Sequence, residues 1–146
     1  MDELDKKILR ELQLDSRSSF TKIAQKIGVS TATVSERVKK LTKKGIICGY
    51  TAILDTSELG MVTLITKIKI KPGYSIEEVG KEIAKLDESC CIHHVTGDFD
   101  LLVISKCTGH GECGAVIEKK KKIEGVESVD SELVLKTLKE ELKVEL

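Results

Sequence analysis

Apolar residues along this chain first recur every three to four positions and then, past residue 60, every two. Leu4, Ile8, Leu9 and Leu12 lie at helical spacing, so residues 2–14 read as a helix whose start carries Asp2, Glu3 and Asp5, where the helix dipole favours anions. The polar turn Asp15-Ser16-Arg17-Ser18-Ser19 supplies the N-cap of the next helix, in which Ile23, Ala24 and Ile27 form one face. Gly28 stops it, because glycine enters a left-handed turn without steric cost. Ser30 is the N-cap of a third helix with the buried stripe Val34, Val38 and Leu41, closing at Gly45. Residues 46–54 are apolar, rich in aromatic and β-branched types, and bracketed by glycines, which reads as a strand or small wing.

From Val62 the period switches to two. Val62, Leu64, Thr66, Ile68 and Ile70 point one way, and Thr63, Ile65, Lys67, Lys69 and Lys71 the other, up to Pro72-Gly73. A helical stripe follows at Ile76, Val79, Ile83 and Leu86. Strands at about 90–96 and 101–106 flank Gly97-Asp98-Phe99-Asp100; a helix at about 112–123 and a last strand from about Val126 to Leu138 complete the order βαββαβ. The expected class is α+β: a three-helix, winged head, then a ferredoxin-like four-stranded antiparallel sheet with both helices on one face. The boundaries drawn are 1–48 for the head, 49–61 for a hinge strand and linker, and 62–146 for the sheet domain. Leu101-Leu102-Val103-Ile104 is apolar on both sides, and the chain has helices for one face alone. A second subunit is therefore expected over the face bearing Leu102 and Ile104.

Two short helices joined by Gly-Val-Ser describe a helix-turn-helix, whose second helix enters the DNA major groove. Its outer face carries Ser30, Thr31, Thr33, Ser35, Arg37, Lys39 and Lys40. The hydroxyls Thr31, Thr33 and Ser35 suit base edges, and Arg37, Lys39 and Lys40 suit phosphates. The alternative for the same residues is an ordinary helical hairpin with a solvated basic face.

Charge changes the picture in favour of DNA. The chain is neutral overall, with 24 Lys/Arg against 24 Asp/Glu. Residues 1–56, however, hold 11 cations and 7 anions while the remainder hold 13 and 17, the asymmetry of a nucleic-acid-binding head on a body employed otherwise. Residues 30–44 alone carry five cations against the single anion Glu36. No apolar run approaches the roughly 18 residues of a membrane span, and the first residues lack a signal-peptide pattern. No membrane association is expected, and the location is read as cytoplasmic, where the five cysteines stay thiols.

These features resemble the Lrp/AsnC (leucine-responsive, or feast/famine) family of prokaryotic transcription regulators. The resemblance covers nearly the whole chain. It rests on L-D-x-x-I-L at Leu4–Leu9, R-V-x-x-L-x-x-x-G-I-I from Arg37 to Ile47, G-Y-T-A from Gly49, V-T-G-D-F-D at Val95–Asp100, and Gly125-Val126. It implies a DNA-binding head, a hinge strand, and a C-terminal domain that dimerises through its sheets, with dimers assembling further into tetramers or octamers. It also implies a small effector, often an amino acid, bound between dimers near Gly97–Asp100, with Thr96, Gly97, Asp98, Asp100 and Ser131 in the pocket. An ammonium group would pair with Asp98 or Asp100, and a carboxylate would meet backbone N–H groups of the turn. The plainer reading of Gly97-Asp98 is a hairpin turn between two antiparallel strands.

Three other constellations compete. Gly109-His110-Gly111-Glu112-Cys113-Gly114 matches G-x-G-x-x-G, but three residues separate it from the preceding apolar run and no second βαβαβ half follows. Cys90, Cys91, His93, His94, Cys107, His110 and Cys113 are soft ligands without zinc-site spacing, so no metal or cofactor is expected. Some proteins similar to the family are sirohaem decarboxylases, for which His93 or His94 would be the candidate; no nucleophile, base and oxyanion donor assemble here, and no catalytic residue is expected. A further alternative is a DNA-binding protein without an effector. Lys119-Lys120-Lys121-Lys122 reads as a solvated helix face.

Overall fold

The computed structural model describes all of residues 1–146, which separate into two compact units: residues 1–53 with 140–146, and residues 54–139.

The first unit is built from α1 (Glu3–Leu14), α2 (Phe20–Ile27) and α3 (Thr31–Lys43). Each begins on a side-chain cap. Asp2 forms a reciprocal capping box with Asp5, Ser19 accepts from the Lys22 N–H, and Ser30 accepts from the Thr33 N–H, which satisfies donors that a helix start leaves orphaned. Gly28 ends α2 at φ 76°, and the N–H groups of Gly28 and Val29 both donate to the Ala24 carbonyl. Gly45 ends α3 at φ 70°, its N–H donating to Thr42 and that of Ile46 to Leu41, the paired bonds of a Schellman motif. With both turns closed this way, Ile8, Leu9, Leu12, Ile23, Ala24, Val34, Val38, Leu41 and Ile47 meet in one core.

Two expectations fail here. Residues 46–54 form no strand; Tyr50, Ile53 and Leu54 are exposed, and an extended segment with no neighbouring edge has nowhere to send its backbone hydrogen bonds. The end of the chain, assigned from sequence to the sheet domain, belongs to the first unit. The Gln13 side chain donates to the Val144 carbonyl at 3.1 Å and accepts from the Val144 N–H at 2.8 Å, as a strand would, and Leu146 packs on the helical core.

The second unit follows the order β1 (Val62–Ile70), α4 (Ile76–Ile83), β2 (Ser89–His94), β3 (Leu101–Cys107), α5 (His110–Lys121) and β4 (Val126–Leu133). All neighbouring strands are antiparallel in the order β2-β3-β1-β4, the ferredoxin-like arrangement expected. Leu64, Ile68, Ile70, Leu101, Val103 and Cys107 are buried on the face covered by α4 and α5, against Val79, Ile83, Cys113 and Val116. Strand β4 ends at Leu133, five residues earlier than the apolar pattern suggested: Leu133 pairs with Leu64, the Val134 N–H makes a last bond to the Thr63 carbonyl near the start of β1, and Leu135 is fully exposed.

The lysine run is corrected as well. Lys119, Lys121 and Lys122 are exposed, but Lys120 is completely buried, its Nζ donating to Thr66 Oγ1 and Ser105 Oγ, both at 2.9 Å. One residue in a run of four on a helix must face inward, and here the inward position meets two hydroxyls on the sheet. Burial lowers its pKa to about 8, while desolvation beside Cys113 pushes the Cys107 thiol up to about 12.

Candidate nucleic-acid interface and effector site

The packing of α3 divides its residues. Val34, Val38 and Leu41 face the core; Thr33, Ser35 and Arg37 are half-buried at the margins; Thr31, Ala32, Glu36, Lys39, Lys40 and Lys43 are exposed. The exposed set follows the helical period, so it forms one outward face.

The hydroxyl candidates are partly engaged within the helix start. Ser30 Oγ accepts the Thr33 N–H at 3.0 Å and lies 2.8 Å from Thr33 Oγ1, and Thr31 Oγ1 lies 3.5 Å from Thr21 Oγ1 on α2. Each hydroxyl retains a second hydrogen-bonding direction. Thr21 and Lys22 are exposed at the start of α2, and the sequence reading passed over them. The signal for them was their place in the first turn of α2, where the helix dipole favours an anion.

Arg37 has partners within the head. Its guanidinium donates to Asp2 and to Asp5, the latter at 3.1 Å, and the side chain is 30% exposed against 9% for Asp5. The hydrogen bonds that Arg37 donates to Asp2 and Asp5 raise its pKa further; the backbone N–H of Asp5, then Arg37, hold the Asp2 carboxyl below its ordinary value. This cation is used to hold α3 against α1. Lys39, Lys40 and Lys43 stay exposed on the outer face.

In the second unit the turn at residues 95–100 is held by its own contacts. The Val95 N–H donates to the Asp100 carbonyl at 3.0 Å, the Asp100 carboxylate accepts the Ile70 N–H at 2.7 Å, and Lys69 Nζ donates to the Asp98 carbonyl at 2.8 Å. Asp100 is thus occupied in fastening the turn to the end of β1. Thr96, Gly97 and the Asp98 carboxylate are exposed, and Lys67 lies 6.0 Å from the Phe99 ring centroid, at the limit of a cation–π contact.

Ser131 is not gathered with that turn within one chain. It pairs with Thr66, to which its hydroxyl donates at 3.3 Å, whereas the Asp100 N–H donates to the Ile68 carbonyl and the Asp100 carboxylate sits at the Ile70 N–H. Four residues along β1 separate Thr66 from Ile70 by about 13 Å.

Leu102 and Ile104 lie half-buried on the sheet face away from the helices, where β1 contributes Ile65 beside Ile104 and Lys67 beside Leu102. The soft ligands are dispersed: Cys107 and Cys113 lie in the core, Cys90, Cys91, His93 and His94 on the edge strand β2, and His110 at the start of α5. Gly111 and Gly114 are inside α5 rather than at a turn before it, so the glycine run does not form a phosphate loop.

Comparison with known proteins covers both units. The AsnC-type helix-turn-helix domain matches residues 1–42, and the Lrp/AsnC ligand binding domain matches residues 63–144. The chain is 36% identical to the HTH-type transcriptional regulator Ptr1 of Methanocaldococcus jannaschii, over 99% of this chain and 98% of that one. It is also 36% identical to an HTH-type transcriptional regulator of Pyrococcus abyssi of uncharacterised role, over 99% of both. Among solved structures, Escherichia coli AsnC superposes with a TM-score of 0.84 at 25% identity, covering 96% of this chain and 95% of that one. The fold is shared too with a Neisseria meningitidis regulator solved with L-methionine, with a TM-score of 0.88 at 23% identity over 99% and 97% of the two chains.

Proposed function

The chain belongs to the Lrp/AsnC family of HTH-type transcriptional regulators, and from that premise we propose that it acts as a homodimer or larger assembly that places two α3 helices in successive major grooves, about 34–36 Å apart. The observation that carries this reading is the outward face of α3, where Lys39, Lys40 and Lys43 are exposed on a helix fixed by caps at both ends. Thr31, Thr33, Ser35 and the free side of Ser30 are the proposed base-edge contacts, Lys39 and Lys40 the phosphate contacts. No helix is long and apolar enough to cross a membrane, and the proposed location is the cytoplasm, with its DNA.

The proposed dimer contact is the sheet face of Leu102 and Ile104, extended by Ile65. The unpaired residues 49–54 are the proposed hinge, gaining a strand partner from a second copy. A small amino acid is the proposed effector, its ammonium group at Asp98 and its carboxylate at the backbone of Thr96 and Gly97. Asp100 holds that turn in place, and Ser131 reaches the ligand only from another subunit. Effector binding that favours one assembly state changes how many heads engage DNA together.

A gel-shift titration on the DNA upstream of the protein's own gene, with and without pooled amino acids, tests both parts. Retarded duplex at low salt supports the regulator reading, and absence of any complex overturns it. A shift in affinity with amino acids supports the effector; identical curves leave a regulator that needs none.

A further inference from the structure

Glu36 stands where a DNA-binding helix gains nothing from a general negative charge. It is exposed on the outer face of α3, one turn beyond Ala32 and one turn before Lys39 and Lys40. Its neighbour Arg37 turns inward to Asp2 and Asp5. The carboxylate thus projects with the lysines toward the surface proposed to meet DNA. Phosphates repel it, and in the major groove so do the acceptors O6 and N7 of guanine and O4 of thymine. What can satisfy a carboxylate there is an exocyclic amino group, cytosine N4 first and adenine N6 second. A position six residues into a recognition helix lies within the portion that reaches base edges.

We infer that Glu36 is a specificity-determining residue that accepts a hydrogen bond from a cytosine amino group in each half-site. The lysines supply affinity for any duplex, and Glu36 makes that affinity conditional: where no amino group is offered, a desolvated carboxylate is left facing acceptors. Ala32, on the same face, is small enough to leave this reach unobstructed. The inference rests on the proposed docking of α3 in the major groove.

The test is selection of bound duplexes from a randomised library with the full-length protein and its Glu36→Gln and Glu36→Ala variants, followed by titration of the selected duplex and its single-base substitutions. The wild type is expected to prefer cytosine at one position per half-site by about tenfold or more. Glu36→Gln should move that preference to adenine, since a carboxamide pairs with N6 and N7. Glu36→Ala should lose it while binding random duplex more tightly. Base profiles that coincide for all three proteins, with a uniform rise in affinity in the variants, overturn the role of Glu36 and leave the DNA reading intact. A wild type that enriches no duplex overturns both. As Glu36 is exposed, all three should give the same thermal melt, and a variant with an altered melt is replaced by Glu36→Ser.

Discussion

Arg37 on α3 and Asp5 on α1 are joined by a hydrogen-bonded ion pair of 3.1 Å, with the Asp5 side chain only 9% exposed. Asp2, the N-cap of α1, accepts from the same guanidinium nitrogen. The contact ties the helix proposed to read DNA to the capping box of the first helix. Removing Arg37 would leave Asp5 largely desolvated without its partner, which is costlier than never having had the pair.

Arg37→Ala is therefore expected to lower the thermal midpoint by several degrees, and Arg37→Lys to recover part of the loss, because an ammonium group can meet one carboxylate but lacks the guanidinium fork. Since Asp2 titrates below its ordinary value in the folded state, its contribution is present above about pH 4 and is lost as pH falls further. The wild-type melt should thus lose its advantage over Arg37→Ala in acid. Equal midpoints at pH 7 would refute the strut.

The exposed lysines should behave in the opposite way. Lys39→Ala with Lys40→Ala should leave the melt unchanged and weaken binding to specific and random duplex alike. In a dimer the change removes four cations, so the log-log slope of affinity against salt should flatten by about 3 to 4. An unaltered slope would place these two residues away from phosphate.

Lys120 permits a pH prediction with a definite sign. Its folded pKa, about 8, lies below the ordinary 10.5. Below pH 8 the amine is charged both folded and unfolded, and burial costs stability in full; between pH 8 and 10.5 the unfolded chain holds more protons, so stability rises with pH. Above 10.5 the cost is gone. Cys107, pushed up to about 12 from 9.0, acts with the opposite sign above pH 9. Because Lys120 and Cys107 bias each other's titration, wild type and Lys120→Met are compared in a Cys107→Ala background, where the difference between the two denaturation free energies reports the lysine. That difference should change by about 1 to 3 kcal/mol across the window in favour of the wild type. A flat difference would show that the amine is solvated.

The sheet face gives the last test. Ile104→Glu, with Leu102→Glu as a second variant, should leave β3 folded, because its opposite side still buries Leu101, Val103 and Cys107. Either should sediment as a single subunit and lose the tight binding that two linked heads provide. Dimers that persist in both variants would move the interface elsewhere.

How far this molecule was legible in its residues follows from the range of the forces involved. The three helices of the head, their caps at Ser19 and Ser30, their stops at Gly28 and Gly45, and the alternation of β1 all depend on residues within a turn or two of one another, and a linear pattern records such interactions. The motif residues from Arg37 to Ile47 and from Val95 to Asp100 carried the family on the same footing. Four other features depended on contacts that no local pattern contains. Arg37 looks like any cation on a basic helix until the packing of α1 brings Asp2 and Asp5 beneath it, more than thirty positions away. Lys120 differs from its three lysine neighbours only in facing the sheet. Ser131 and Asp100 meet different stretches of β1 because register, not composition, sets what lies opposite what. Val144 pairs with Gln13 because a polar amide on α1 offers a donor and an acceptor together. Periodicity decided which elements form and which face is apolar; only the packed structure decided which charges are paired internally and which stay exposed.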